Sequence, residues 1–415
     1  MKYLINISGD IPHAGITNIN IPLNGRNLII TGKNGSGKTS FLKKLNEKLS
    51  LHFSKQIQKQ QTHEQEVNYY QNQLKIHPQG SYKHSQAKQQ LNYFQNEINK
   101  IKDALNLEII NELDLLNLYD NYKAIYQSFE AMRKSNIQPV TSSTSIEQEK
   151  ENAKNNKLSN LGNKLEQHLV NIRVNKAFAF EKKDEHRFNI LNNWFDQFDV
   201  QLKFLFENNT AKLVFNDQNF KFKIQLNERE VEFQNLSSGY QAIFDIFADL
   251  LVRSEFFEIS PLELRGIVLI DEIDAHLHIS LQKKILPFFT NLFPQVQFIV
   301  STHSPFVITS TDNDTVVYDI SSGEFFEEDL SRYSYESVIK GLFHVNPISS
   351  DTKNSIEILK NLLTDNPRNY VEIRSVVKNL VELEKNDLLD KSLKNIYLQA
   401  INLLADNNQL EDLDV

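Results

Sequence analysis

No cysteine occurs among the 415 residues, so disulfides and thiolate metal sites are excluded from the fold and the chemistry alike. Long apolar runs are missing too. Without a stretch of about eighteen apolar residues, no helix of this chain is expected to span a bilayer. The opening Met1-Lys2-Tyr3-Leu4-Ile5-Asn6-Ile7 has too short an apolar part for a secretory signal and reads as a first strand, so a cytoplasmic location is expected. Basic charge is in deficit. The formal net charge of −8 argues against a wholly basic nucleic-acid binder, although a local basic strip is compatible with it. Glycine and proline are scarce between residues 51 and 176, where Gln, Asn and Lys dominate. A stretch so poor in breakers points to helix.

What is present begins with apolar content. A hydrophobic share of 40% suffices for at least one substantial core, and 415 residues call for two or three structural units. Leu4, Ile5 and Ile7, and the segment from Ile16 to Leu23, read as edge strands; Asn27-Leu28-Ile29-Ile30 is a short apolar strand. Phe41, Leu42, Leu45 and Leu49 follow at helical spacing. Leu91, Phe94, Ile98, Ile101 and Leu105 form one heptad seam, and Leu158, Leu161, Leu165, Leu169 and Ile172 a second. Packed antiparallel helices over 53–176 are therefore expected, in an arm of about 35–40 Å. Phe188, Leu191, Trp194, Phe195 and Phe198 suit a buried helix face, and Phe220, Phe222, Ile224 and Leu226 alternate as a half-buried strand. Helix, apolar strand, helix, apolar strand over 236–320 predicts a mainly parallel sheet covered by helices. The expected division is 1–52 and 177–330 as two lobes of one α/β head, 53–176 as a helical insertion, and 331–415 as a C-terminal helical region.

Four segments carry chemistry. Gly32-Lys33-Asn34-Gly35-Ser36-Gly37-Lys38-Thr39 fits the phosphate-loop pattern at each required place, between a strand and a helix. Glycines let backbone N–H groups turn inward around phosphate oxygens, and the helix N-terminus at Thr39-Ser40 adds its positive dipole end. Lys38 reaches the β- and γ-phosphates of ATP, and the Thr39 hydroxyl ligates Mg²⁺. Gly266 to Glu272 is a buried strand ending in two carboxylates: Asp271 to hold Mg²⁺ through its water shell, Glu272 to polarise the attacking water, a role worth roughly 10²–10⁴ in rate. Gln297 to Pro305 is the next strand, and His303 at its tip is placed to bridge γ-phosphate and water as a neutral imidazole. Leu236-Ser237-Ser238-Gly239-Tyr240-Gln241 opens a helix bearing Ile243, Phe244, Phe247, Leu250 and Leu251; alone it is a serine N-cap with a glycine nearby.

In order, these segments resemble the Walker A, signature, Walker B and switch-histidine set of the ABC ATPases. The insertion between the first two makes the chain similar to the SMC, RecF and OLD branch. Asp271-Glu272-Ile273-Asp274-Ala275-His276-Leu277-His278, followed by Ser301-Thr302-His303-Ser304-Pro305, looks most like the ATPase subunits of the Septu, PARIS and retron-associated anti-phage systems. The resemblance covers residues 1 to about 50 and about 160 to 330. It implies an ABC-type P-loop head with an inserted coiled-coil stub. It also implies that Ser237, Ser238 and Gly239 contact a γ-phosphate held by a second protomer, with Asp274 in the D-loop at that interface. Two departures stand out: Ser238 replaces the commoner glycine and Tyr240 a polar side chain. No Q-loop glutamine and no adenine-stacking aromatic can be assigned, so slow hydrolysis with intact binding is expected.

No HNH-like histidine set, topoisomerase-primase acidic constellation or second catalytic domain after residue 330 is visible. The implied role is an ATPase that forms a homo-oligomer built from head-to-tail dimers and controls a separately encoded effector, a nuclease, with room for nucleic acid as a further partner and no membrane. Two alternatives stay open: a RecF-like repair or recombination ATPase clamping DNA through its coil, and a scaffold that assembles on ATP with little turnover. Residues 345–415 hold more apolar side chains, Leu359, Leu362, Leu363, Val376, Val377 and Leu380 among them, than short helices need for one core. A docking surface for another subunit is expected there.

Overall fold

Apolar alternation at the start of the chain forms an antiparallel hairpin in the computed structural model, β1 (Leu4–Ile11) with β2 (Ile16–Pro22). The structure describes residues 2–102, 105–155, 157–343, 350–365, 368–385, 389 and 391–410. Two compact units divide the chain, Met1–Val338 and Ile339–Val415. In the first, β3 (Asn27–Thr31) runs into the phosphate loop and α1 (Lys38–Phe53), which buries Phe41, Leu42, Leu45 and Leu49 as their spacing predicts.

The region expected to be a helical insertion is more divided than its composition implies. Only α2 (Gln60–Ile76) and α3 (Tyr82–Lys102) form a hairpin, with Tyr70 stacked on Phe94 at 5.9 Å. At 21 residues α3 is roughly 30 Å long, somewhat shorter than the expected arm. The first seam ends with this helix at Ile101. Leu105 lies on β4 (Leu105–Ile109), which pairs with β1 and completes a three-stranded sheet ordered β2-β1-β4. After α4 (Glu112–Asp120), β5 (Ala124–Phe129) enters the main sheet. An irregular stretch and α5 (Ile146–Asn155) lead to α6 (Leu165–Glu181), where Leu165, Leu169 and Ile172 are buried. Helix α6 packs on α7 (Glu185–Leu205) and on the later helix Ser238–Phe256, whereas α3 packs chiefly on α2. The second seam is thus a core face of the head, and Leu158, 62% exposed, is no part of it. On α7 only Phe198 of the expected face is fully buried. Next come β6 (Lys212–Asn216), β7 (Lys221–Leu226) and β8 (Arg229–Val231), an antiparallel sheet burying Phe222 and Ile224.

The helix α8 (Ser238–Phe256) buries Ile243, Phe244, Phe247, Leu250 and Leu251. Its buried Arg253 pairs with Asp249 at 2.8 Å and donates to the carbonyls of Lys157 and Ser159 at 2.7 Å each, fixing the preceding chain to the helix. The remaining elements alternate: β9 (Arg265–Ile270), α9 (Ile279–Gln282), α10 (Ile285–Leu292), β10 (Val296–Ser301), α11 (Pro305–Ile308), β11 (Thr315–Asp319) and β12 (Glu324–Phe326). The main sheet is six-stranded, ordered β12-β11-β3-β10-β9-β5. All neighbours are parallel except the β11–β12 pair. This is the expected mainly parallel sheet. Register aligns its carboxyl ends: Ser301 lies opposite Ile30, and Val300 opposite Ile270. In open α/β sheets that edge is where ligands bind.

The second unit contains α12 only in part (Tyr335–Gly341), then α13 (Ser350–Thr364), α14 (Tyr370–Lys385) and α15 (Lys391–Asp406). Leu359, Leu362, Val377, Leu380, Tyr397 and Leu404 close a core of their own. The expected surplus of apolar residues is largely consumed there, with Ile358, Val371 and Leu398 left exposed. The ground for a docking surface on 345–415 is correspondingly smaller. Residues 345–349, 366, 367, 386–388, 390 and 411–415 of that span lie outside the described residues.

Candidate nucleotide site

Gly32, Gly35 and Gly37 hold φ at 137°, 76° and 96°, a region that a Cβ disfavours. The loop therefore curls back over the end of β3. At Gly32 a Cβ would stand 2.5 Å from Ser321 Oγ. The same hydroxyl accepts from the Lys33 N–H at 2.7 Å, so the turn after β11 buttresses the loop. Asn34 and Gly35 are exposed at its tip, and Ser40 is half-buried on the first turn of α1. Lys38 is buried inside, and its Nζ donates to the carbonyls of Gly32 and Lys33 at 3.0 and 3.1 Å. Burial pulls this ammonium below the ordinary lysine range, while Glu272, Asp271, Asp274 and Asp319 draw it back up. Ser36 Oγ is buried without a hydrogen-bond partner among the described residues. Such a group calls for an acceptor, and a phosphate oxygen is one.

The carboxylates sit two strands over from β3, both just past the end of β9. Asp271 Oδ2 accepts from Thr39 Oγ1 at 2.9 Å, and its Oδ1 accepts from Ser301 Oγ at 2.5 Å. The Ser301 hydroxyl also accepts from the Glu272 N–H at 2.7 Å, tying the tip of β10 to that of β9. Glu272 adopts φ 48°, unusual for a residue with a side chain, and is half-buried. His303 is half-buried two residues past β10; burial, then the Lys38 charge, lower its pKa against the pull of Asp274, Glu272 and Asp271. Burial and the Lys38 charge both favour the neutral imidazole. Asp274 accepts from Thr302 Oγ1 at 2.5 Å within the same chain.

At the start of α8, Ser237 and Ser238 are exposed, and Ser237 makes no side-chain capping bond although it occupies the N-cap. The plain capping role is not realised. Gly239 is packed against the loop after the carboxylates, where a Cβ would stand 2.7 Å from the His276 carbonyl oxygen. Tyr240 stacks on Phe206 at 4.2 Å, which accounts for an aromatic where a polar side chain was expected. Among the described residues, no hydrogen bond or ion pair joins Ser237 or Ser238 to the phosphate loop.

The donor set near Thr39 and Asp271 consists of oxygens, which fits Mg²⁺. No group of three or more His, Cys, Asp or Glu among the described residues forms a metal cage. Sequence reasoning missed three contributors. The Ser301 hydroxyl holds the Asp271 carboxylate and the Glu272 backbone N–H. Glu130, at the end of β5, lines a cavity of about 320 Å³ with Thr39, Asn46 and Asp271. The glutamine on that strand, Gln127, instead donates to the Lys157 carbonyl at 2.9 Å. The third is Arg133, whose guanidinium reaches the carbonyls of Asp271 and Glu272.

The retron Vc95 probable ATPase of Vibrio cholerae serotype O1 biovar El Tor is 41% identical over 22% of this chain and 18% of its own length. The Septu protein PtuA of Bacillus mycoides (strain KBAB4) is 42% identical over 17% of this chain and 10% of its own. The matched stretch is at most 24% of any of these curated relatives. Among solved structures, the SMC head bound to the C-winged helix domain of ScpA is similar with a TM-score of 0.33 and 13% identity, covering 78% of this chain and 97% of that one. A family model matches residues 28–309, from β3 to beyond His303. By that match the chain belongs to the AAA domain family described as putative AbiEii toxin, type IV toxin–antitoxin system.

Proposed function

We propose that the chain binds ATP with Mg²⁺ at the carboxyl ends of β3, β9 and β10 and hydrolyses it, two copies pairing head to tail. The carrying observation is the convergence of Lys38, Thr39, Asp271, Glu272 and His303 on one sheet edge, with Thr39 and Asp271 already 2.9 Å apart. Lys38 binds the β- and γ-phosphates, and Gly32, Asn34, Gly35, Ser36, Gly37 and Ser40 surround them. Thr39 and Asp271 would hold Mg²⁺, which would supply charge neutralisation at those phosphates. Glu272 takes the proton of the attacking water, and His303 orients water and phosphate together. A cavity of about 450 Å³ bounded by Ala14, Thr17, Lys33, Ser36, Tyr318 and Ser322 takes the nucleoside end.

Ser237, Ser238, Gly239 and Asp274 complete the site of a second copy. Exposure of both serines, and the uncommitted hydroxyl of Ser237, support this, because a helix N-terminus is an anion site awaiting its anion. Similarity to a retron ATPase and to a Septu protein supports a role in anti-phage defence. The protein controlled would be a separately encoded effector, a nuclease. Mixed dimers test the pairing. Lys38→Ala and Ser238→Arg proteins are each expected to be inactive alone, and mixing them to restore up to half of the composite sites. Full activity of Ser238→Arg alone contradicts the paired site.

A further inference from the structure

Past β5 the chain runs irregularly, and its first cation turns inward. Arg133 is 8% exposed although its neighbour Met132 is 94% exposed. Nη1 donates to the Glu130 carbonyl at 2.9 Å and to the Asp271 carbonyl, and Nη2 donates to the Glu272 carbonyl at 2.9 Å. One planar fork therefore spans the end of β5 and two consecutive peptides at the end of β9. A guanidinium suits this task better than an ammonium, since its donors diverge in a fixed plane. Its Nε is buried without a partner among the described residues, so the group is held by those carbonyls and by the charges around it. Asp245 faces it from α8, and Asp271, Asp274 and Glu272 face it from the β9 tip.

The second of those peptides belongs to Glu272, whose φ of 48° is disfavoured for a residue with a Cβ. Such a conformation persists only when its surroundings over-determine it. The Ala275 N–H shares the Glu272 carbonyl with Arg133 at 2.9 Å, and Ser301 Oγ holds the Glu272 N–H. Arg133 is the one cation in that set.

We propose that Arg133 is a positioning residue for the carboxylate pair: it pins the two carbonyls, fixes the left-handed turn at Glu272, and so sets the direction from which Glu272 meets water. This rests on Glu272 being the base. It assigns the loop after β5 a direct part in the hydrolytic geometry and gives that loop a way to alter turnover without touching nucleotide.

The experiment measures kcat, the ATP dissociation constant and thermal midpoint for wild type, Arg133→Ala, Arg133→Lys, Glu272→Gln and the Arg133→Ala/Glu272→Gln double variant. Misdirection of the base is expected to lower kcat of Arg133→Ala about ten- to hundredfold, with ATP affinity within about threefold of wild type. Arg133→Lys, able to reach one carbonyl but not to fork across both, recovers part of the loss. In single turnover, Arg133→Ala adds no further loss to Glu272→Gln, since both act through one carboxylate. A kcat for Arg133→Ala within twofold of wild type overturns the inference, as does a full multiplicative loss in the double variant. Should Arg133→Ala fail to fold, Arg133→Lys decides: unchanged kcat overturns the inference, and lowered kcat with retained ATP affinity upholds it. Wild-type turnover in Glu272→Gln overturns the base assignment itself, a result distinct from either failure of Arg133.

Discussion

Thr39 donates its hydroxyl to Asp271 Oδ2 across 2.9 Å, while Ser301 donates to Oδ1 of the same carboxylate at 2.5 Å. Two elements thus orient both oxygens of Asp271 before nucleotide enters, and the Thr39–Asp271 contact marks the place where a cation would join phosphate loop and strand end. Asp271→Asn removes the charge and keeps the shape. The Mg²⁺ concentration for half-maximal turnover is expected to rise about ten- to hundredfold. A Mg²⁺ titration of ATPase activity that superimposes on wild type contradicts this placement.

Gly239 faces the His276 carbonyl so closely that a Cβ would stand 2.7 Å from its oxygen. Gly239→Ala must push α8 away from the loop carrying Asp274, at a cost of about 1–3 kcal/mol typical of overpacking. Turnover is expected to fall while ATP binding to the phosphate loop survives. Calorimetric titration and steady-state hydrolysis on one preparation check both halves; equal loss of the two counts against a separate role for this helix start.

The parts legible in the sequence are those whose chemistry demands fixed spacing. The phosphate loop, the Asp271-Glu272 strand end and the strand leading to His303 stand where their patterns place them, because glycines and apolar runs fix them locally. The stretch from Leu105 to Phe129 was illegible. Leu105 follows Ile101 at helical spacing, yet Leu105, Leu107 and Ile109 also alternate, and only pairing with β1 decides between the two. β5 joins the main sheet through β9, a neighbour more than a hundred residues away in sequence. Once β5 was missed, Glu130 and Arg133 carried no signal, since a carboxylate and a guanidinium in a polar stretch look like solvated surface. Leu165, Leu169 and Ile172 fit a coil seam in sequence because a heptad and a core-facing helix share the same spacing; the partner helix, not the pattern, distinguishes them.

A buried histidine gives a pH prediction away from the site. His168 is packed edge-on against Trp194 and Phe256, and burial lowers its pKa from 6.5 to about 4. The folded state therefore releases a proton that the unfolded state keeps between those two values. Stability from this group is full above pH 6.5 and is lost as pH falls toward 4, by up to about 1.4 kcal/mol per pH unit. His168→Leu removes that slope. Trp194, the single tryptophan of the chain, reports unfolding directly beside it. Urea midpoints by tryptophan fluorescence at pH 5 and pH 7 should differ more in wild type than in the variant; an equal difference rules out His168 as the source.

Hydrolysis by the residues gathered at the ends of β3, β9 and β10 is tested most directly by single-turnover ATP cleavage in Glu272→Gln protein, with ATP binding and light scattering measured in parallel. The base assignment predicts retained Mg²⁺–ATP binding, phosphate release slowed about 10²–10⁴-fold, and accumulation of an ATP-bound pair of chains. Phosphate release at the wild-type rate, from protein that binds ATP equally well, contradicts it.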